Sequence, residues 1–327
     1  HDAASQITRT MPLPDNVFVF SHKDPESIVL ENLKVVIHGQ SYAFRAVTDN
    51  LAAGYPPFHA GYFNIGLLHT ALTGRPGHED YAPCTMDDLR SRGYDYWALG
   101  HVHKTEILNK DPWVVFAGNI QGRHINETGA KGAVLVTVAD GRVIEKQMCE
   151  LDVLRWAVCS IDLSECDTIA SVHDTVQESC EIAKEKADGR ILALRLVLTG
   201  KCPVHDTLMD NTAGWVQEFR GIAAAMGDVW LEQVKFHTKR QKDPAQMFGK
   251  NTPVAGLIQS IENLNLDEDT IMGLVPELAQ LKSKLPAELH AGGDLFADPA
   301  SDTMAALRTA VQELLIARLL DHGEDEK

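Results

Sequence analysis

Short hydrophobic runs separated by turn-forming residues dominate the first 150 residues. Runs rich in Val, Ile and Leu are typical of strands that are covered on both faces. The predicted strands are Val17–Phe20, Lys34–Ile37, Asn64–Leu68, Tyr96–Leu99, Trp113–Phe116 and Ala133–Val138. A short helix is predicted from Thr85 to Arg92, because Asp87 and Asp88 in its first turn and Arg90 near its end suit the helix dipole.

Residues 151–240 show a different pattern, in which strand and helix periodicities alternate. Strands are predicted over Trp156–Ile161, Ile191–Leu198 and Val229–Phe236. Apolar residues recur at helical spacing between them, from Ile169 to Ala183 and from Leu208 to Met226. This βαβαβ order predicts a small α/β module with its own core.

No strand is predicted after about residue 250. Apolar residues recur on one helical face between Ile271 and Leu281, and again between Leu307 and Ile316. Such amphipathic helices pack on the body of the protein or on a partner. The sequence therefore predicts three regions: residues 1–150, an α/β region at 151–245 and an acidic helical region at 246–327.

Charge and cysteine content narrow the class of protein. The net charge is −16, and residues 250–327 hold 14 of the 46 acidic residues but only 6 of the 30 basic ones. This argues against broad nonspecific nucleic-acid binding but leaves room for a local basic groove. The six cysteines form no CxxC pair, which is typical of reduced thiols in a cytoplasmic protein. No apolar run is long enough to predict a membrane span.

Histidines carry the main candidate chemistry, because nine of the fourteen fall within the first 124 residues. His69 follows one predicted strand, and His101 and His103 follow another across Gly100. Sites in α/β sheets gather at the carboxyl ends of strands, and Gly100 is expected to permit a tight turn. Imidazoles at i and i+2 suit a bound Mn, Fe, Zn or Ni ion, although a chance HxH in a histidine-rich chain is the alternative.

A glycine-flanked loop, Gly118–His124, adds a second candidate feature. Asn119, Gln121 and Arg123 offer amide and guanidinium donors that suit a phosphate group. An ordinary polar turn is the alternative interpretation of the same residues.

In their order along the chain, these segments resemble the calcineurin-like metallophosphoesterases. The resemblance rests on His1-Asp2, Leu67-Leu68-His69-Thr70, Gly100-His101-Val102-His103 and Ala117-Gly118-Asn119. The loop from Gly122 to Gly132 resembles the SbcD-type DNA repair exonucleases, in particular their YhaO-like branch. The likeness covers residues 1–150 best.

The resemblance implies an α+β fold: a four-layer β-sandwich, a small α/β capping domain and C-terminal helices. It implies two divalent ions, expected to be Mn, with His69, His101 and His103 as ligands. His1 matches a residue that assists the leaving oxygen near the scissile phosphate, and Asp2 matches the residue that orients it. The implied partners are DNA ends or single strands, an SMC-like ATPase bound by the C-terminal helices, and a second copy in a homodimer.

The family motifs that precede His1 are not in this chain, which starts inside the Gly-Asn-His-Asp motif. The expectation is an incomplete metallophosphoesterase domain that is inactive as a nuclease in this form. Two alternatives stay open: a phosphodiesterase or phosphatase acting on small nucleotides, and a non-catalytic scaffold of a repair complex.

Overall fold

The computed structural model of the protein describes four continuous stretches of the chain and a few residues near its carboxyl terminus. These are residues 13–42, 47–72, 81–241, 253–263 and, near the carboxyl terminus, residues 311, 312, 314–316, 318 and 319. The chain divides into two compact units. Unit 1 comprises His1–Ala157 with Ala187–Ala193, and unit 2 comprises Val158–Lys186 with Leu194–Lys327.

A six-stranded sheet forms the centre of unit 1. Its strands are β1 (Glu26–Leu30), β2 (Val35–Gly39), β3 (Phe63–His69), β4 (Tyr96–Gly100), β5 (Glu106–Lys110) and β6 (Trp113–Phe116). They lie in the order β1-β2-β3-β4-β6-β5. The four central strands are parallel, while β1 and β5 pair antiparallel at the two edges. The carboxyl ends of β2, β3 and β4 therefore meet at one edge of the sheet.

Both faces of this sheet are covered by apolar side chains. On one face the hairpin of β7 (Gly132–Ala139) and β8 (Arg142–Glu150) packs its valines against Phe63, Tyr96 and Val115. On the other face the fully buried Trp97 lies in a cluster with Leu89 and Tyr55. The Trp97 ring fits because Gly66 faces it: a Cβ on Gly66 would lie 2.4 Å from the indole.

The helix α1 (Met86–Ser91) contributes Leu89 to that second face. It begins at a capping box, in which the Thr85 hydroxyl accepts from the Asp88 amide while the Asp88 carboxylate accepts from the Thr85 amide. Asp87 and Asp88 lie in the first turn and Arg90 in the last, as the charge pattern predicts. Two short 3-10 helices, Glu31–Leu33 and Leu51–Gly54, complete the connections.

A three-stranded sheet and its helices make up most of the remaining described residues. The sheet has the order β11-β10-β9, from β9 (Leu154–Asp162), β10 (Ile191–Lys201) and β11 (Val229–Lys239). The helices are α2 (Ile169–Lys186), α3 (His205–Asp210), α4 (Thr212–Ala225) and α5 (Pro253–Glu262). Val172, Val176 and Cys180 of α2 and Phe219 and Ala223 of α4 are buried, which confirms the helical spacing of these apolar residues.

The structure confirms most of the predicted elements and corrects others. Val17–Phe20 is wrong as a strand: Val17, Phe18 and Val19 are exposed and lie in irregular chain. The pattern missed β1, β5 and β8, because edge or exposed strands mix polar with apolar residues and form no continuous run. It also missed α5. The predicted helix around Ile271–Leu281 lies outside the described residues.

The described residues form a mixed α+β structure with several sheets, compatible with a metallophosphoesterase-like fold. Within these residues no helix is long and apolar enough to cross a membrane.

Candidate functional site

Two histidines meet at the carboxyl edge of the parallel strands of unit 1. His69 ends β3, and Gly100, which ends β4, pairs with it in the strand register. The next residue, His101, turns its ring toward His69, and its Nδ1 lies 3.2 Å from His69 Nε2. The two rings are nearly perpendicular, with centroids 5.1 Å apart. We call these two residues the sheet-edge pair.

The backbone of the Gly100-His101 step differs from the sequence-based expectation. Gly100 was expected to supply a tight turn, but the positive φ angle, 102°, belongs to His101. Such a conformation costs free energy in any residue with a Cβ and is found at functional sites more often than elsewhere. Gly100 serves a different purpose, because a Cβ there would lie 3.0 Å from His69 Nδ1. The glycine makes room for the His69 ring.

Two tyrosines, which the sequence analysis did not single out, pack around the sheet-edge pair. Tyr81 stacks on His101 with 15° between the ring planes, and it meets His69 edge-on. Tyr42 contacts both His69 and Tyr81 through ring edges. Burial raises the pKa of Tyr81 to about 12, so its ring stays uncharged at neutral pH. Because Tyr42 and Tyr81 come from distant loops, no local motif could have revealed them.

A pocket of about 260 Å³ opens beside the sheet-edge pair. Its walls come from the ends of β2, β3 and β4 and include Gln40, Ser41, Tyr42, His69 and Gly100. The pocket therefore lies where the parallel-sheet rule predicts a ligand site, outside the carboxyl ends of the strands.

His103 is held separately from the sheet-edge pair, by the buried carboxylate of Glu127. Its Nδ1 lies 2.7 Å from Glu127 Oε1. The guanidinium of Arg123 also reaches Glu127 Oε1, at 3.1 Å, and the Arg123 amide donates to Oε2 at 2.9 Å. Asn119 Nδ2 donates to Oε2 at 2.8 Å. We call Glu127 with these three partners the Glu127 network.

The Glu127 network keeps its carboxylate ionised. Burial by itself would raise the pKa of Glu127, but the hydrogen bonds from Arg123, His103 and Asn119 outweigh it and hold the pKa well below its usual range. Sequence reasoning placed Glu127 in the resemblance to SbcD-type enzymes without giving it a role. The signal that would have found it is its position four residues after Arg123 in a glycine-bounded loop.

The three predicted phosphate-binding residues have different surroundings. The Gln121 amide is fully used by backbone groups: Nε2 donates to the carbonyls of Gly122 and Leu154, and Oε1 accepts from the amides of Val153 and Leu154. These hydrogen bonds hold the loop in place, and phosphate binding by Gln121 stays a prediction. Asn119 is directed to Glu127 through Nδ2, whereas the Arg123 side chain stays 63% exposed.

The predicted metal ligands are thus divided between two places. His69 and His101 lie together, and His103 has Glu127 as its partner. Within the residues that the structure describes, no group of three or more His, Cys, Asp or Glu side chains is placed to hold an ion. His1 and Asp2, the predicted catalytic residues, lie outside the described residues.

The sheet-edge pair nevertheless fits a metal ion on geometric grounds. Two ligand nitrogens, each about 2.1 Å from one ion, are separated by about 3.0–3.4 Å, depending on the angle between them. The observed 3.2 Å between His69 Nε2 and His101 Nδ1 lies in this range. Imidazole nitrogens suit Mn, Fe, Zn and Ni alike, so the pair does not select one of them.

Two other histidines, His38 and His205, are structural. His38 is buried between β1 and β3, where its ring nitrogens contact Ser27 Oγ and Asn64 Oδ1. His205 is buried and contacts Thr238 Oγ1. Both are satisfied core residues.

Comparison with known proteins supports a relationship to metallophosphoesterases. Residues 156–239 match the family model described as "Metallophosphoesterase YhaO, middle domain". The chain is also 39% identical over 223 residues to a Bacillus subtilis (strain 168) protein described as "Uncharacterized metallophosphoesterase YhaO". That match covers 67% of this chain and 53% of the relative, so the chain spans about half the length of the curated relative it matches. Over two thirds of its length, the chain is similar to a YhaO-like metallophosphoesterase.

Proposed function

We propose that the protein is a divalent-metal-dependent phosphoester hydrolase that acts on DNA phosphodiester bonds. The observation that carries this proposal is the sheet-edge pair, two imidazole nitrogens at metal-ligand separation beside a pocket at the carboxyl edge of parallel strands. The similarity to a metallophosphoesterase supports the same reaction class.

His69 and His101 would hold one ion, and His103 would contribute a further ligand. The proposed mechanism has two divalent ions, with Mn as the expected metal. When bound, they would supply an activated water and would neutralise the charge of the phosphodiester oxygens. Arg123 has an exposed guanidinium beside His103, and we assign it to a phosphate oxygen of the substrate. His1 would donate a proton to the leaving oxygen, and Asp2 would orient it.

The other regions of the chain would select the substrate and the partner. We propose that the α/β region at 151–245, which includes the matched YhaO middle domain, selects DNA ends or single strands by their shape. The acidic helical region at 246–327 would dock an SMC-like ATPase, and a homodimer would bring two sites together. These roles follow from the resemblance and from the acidic composition of that region.

The proposal is tested by replacing His101 in the full-length gene product. His101→Ala should abolish Mn-dependent cleavage of linear duplex and single-stranded DNA, because the ion loses a ligand. His59→Ala is the matched control: His59 is an exposed histidine of the same unit that packs on Tyr62. It should retain full activity.

The substrate panel should also include small nucleotides and a chromogenic phosphodiester. Hydrolysis of the small substrates alone would favour a phosphodiesterase or phosphatase acting on nucleotides. DNA cleavage that persists in His101→Ala would contradict the assignment of the site. No hydrolysis by the wild-type protein under any metal condition would favour the scaffold alternative.

A further inference from the structure

Glu127, in unit 1, has a carboxylate that is buried and yet fully hydrogen-bonded. Its side chain is only 7% exposed, yet four hydrogen bonds converge on its two oxygens. Oε2 accepts from the Arg123 amide and from Asn119 Nδ2, two groups that can only donate. Oε1 faces the Arg123 guanidinium and His103 Nδ1. A buried carboxylate with this many hydrogen bonds fixes the positions of the groups that donate to it.

The contact with His103 decides where that ring carries its proton. An ionised carboxylate only accepts, so the 2.7 Å contact to Oε1 requires a proton on His103 Nδ1. The Arg123 guanidinium lies 3.0 Å from the same nitrogen, but it donates to Oε1 instead, because Nδ1 then has no lone pair to offer. In the neutral ring Nε2 is therefore left unprotonated, the form that ligates a metal or accepts a proton.

We propose that Glu127 is a positioning residue that fixes His103 in its Nδ1–H tautomer, so that Nε2 is held ready as a ligand or proton acceptor, and that keeps Arg123 beside it. This inference rests on the proposed function for what Nε2 binds, but not for the tautomer itself. Metal-ligating histidines commonly donate their second nitrogen to a carboxylate in this way. Lys131 adds a second restraint, because its ammonium donates to the His103 carbonyl at 3.2 Å.

The isosteric substitution Glu127→Gln tests this proposal, because it replaces one carboxylate oxygen with an amide nitrogen that can only donate. Two donors point at Oε2, and one of them is a backbone amide that cannot move away, whereas the donor at Oε1 is the exposed Arg123 guanidinium. The amide oxygen of the glutamine should therefore take the Oε2 position, and the guanidinium should turn away from the amide nitrogen at Oε1. The amide NH2 then faces His103 Nδ1, which must become the acceptor. His103 should therefore switch to the Nε2–H tautomer, which cannot ligate a metal through that nitrogen.

The primary measurement is the tautomer of His103 in the metal-free full-length protein, from the nitrogen chemical shifts of its ring, recorded at a pH above which those shifts no longer change. We expect the wild type to be Nδ1–H and Glu127→Gln to be Nε2–H. Titration with Mn²⁺ alone should show a loss of about 10–100-fold in affinity for the variant.

Asp152→Asn is the matched control, because it also neutralises a buried carboxylate held by arginines in unit 1. It should lower stability and leave the His103 tautomer unchanged, because the backbone hydrogen bond from the Asp152 amide to the Lys131 carbonyl is kept in the variant. A wild-type ring in the Nε2–H form, or an unchanged tautomer in Glu127→Gln, would overturn the proposal. The wild-type measurement needs no variant, so it decides even if Glu127→Gln does not fold. If the tautomers behave as expected but the wild type hydrolyses no phosphoester, the proposed function fails and the positioning role stands.

Discussion

The sheet-edge pair and the Glu127 network bring histidines into place by different physical means. His69 and His101 are positioned by strand register and by the aromatic rings of Tyr42 and Tyr81. His103 is positioned by charged hydrogen bonds from a loop that has no regular secondary structure. Packed side chains are sensitive to a change in side-chain volume but not to a change of pH. A buried charge network is destabilised when a charge or a hydrogen-bond donor is removed. Variants that disturb volume or charge alone should therefore separate the two.

The largest effect on stability is expected from Asp152→Asn, which tests how much a buried charge contributes in unit 1. The Asp152 amide donates to the carbonyl of Lys131, which lies at the end of the loop that carries Glu127, and the buried Asp152 carboxylate pairs with Arg155 and Arg190. Loss of the charge leaves Arg155 and Arg190 with only the more exposed carboxylates of Glu150 and Asp188, and it should cost about 3 kcal/mol of unfolding free energy at pH 7. Urea unfolding measures this value.

The loss of stability in Asp152→Asn is expected to depend on pH, because it requires the wild-type carboxylate to be ionised. Burial opposes ionisation, but hydrogen bonding and charge from Arg155 outweigh it, so the pKa of Asp152 in the folded protein lies below its usual value. Its contribution to stability is therefore present above the unfolded pKa of about 3.9 and is lost as the pH falls through the folded pKa. The difference in stability between wild type and Asp152→Asn should shrink only below about pH 4; a difference that already shrinks between pH 7 and pH 5 would contradict this assignment.

Gly66→Ala tests the packing behind the sheet-edge pair. The added Cβ would lie 2.4 Å from the Trp97 ring, which is fully buried and cannot retreat. We expect a loss of about 1–3 kcal/mol from overpacking, measured by urea unfolding. Gly221→Ala, in α4 with open space around the new Cβ, should instead be neutral or stabilising by up to about 1 kcal/mol. Equal stabilities of the two variants would refute the packing argument.

Gly100→Ala tests the space reserved for the His69 ring. Its Cβ would lie 3.0 Å from His69 Nδ1, so the ring must shift by a few tenths of an ångström. We expect metal-dependent hydrolysis by the full-length protein to fall about tenfold. The His103 tautomer should not change, because the Glu127 network lies apart from this contact. Wild-type activity in this variant would show that the position of His69 is not critical.

The smallest expected effect is a difference in stability between two replacements of His101, which distinguishes the role of its ring from the strain in its backbone. His101→Gly and His101→Ala both remove the imidazole and should both abolish hydrolysis. Because the φ angle of 102° suits glycine and strains alanine, His101→Gly should be more stable than His101→Ala by about 1 kcal/mol. Thermal unfolding of the two variants measures this difference, and an alanine variant that is the more stable would show that the backbone relaxes.

Buried strands were predicted from the sequence more reliably than exposed strands. The strands around Ile65, Trp97 and Val115 were predicted because continuous apolar runs mark strands covered on both faces. The edge strand Glu106–Lys110 was missed, because none of its five side chains is buried and polar residues interrupt its apolar run. The apolar run Val17–Phe20 was wrongly predicted as a strand. Its residues lie in irregular chain, and the side chains of Val17, Phe18 and Val19 are exposed.

The sequence by itself determined that His69 and His101 follow the ends of buried strands, and with a parallel sheet this is enough to bring them to one edge. It did not determine that Gly100 leaves room for a ring, that His101 takes the strained backbone angle, or that Glu127 holds His103. Those facts depend on contacts between residues 24 to 32 positions apart, such as His69 with His101 and His103 with Glu127. A hydrogen bond or a ring contact requires an exact distance, and only the folded sheet and its loops fix that distance.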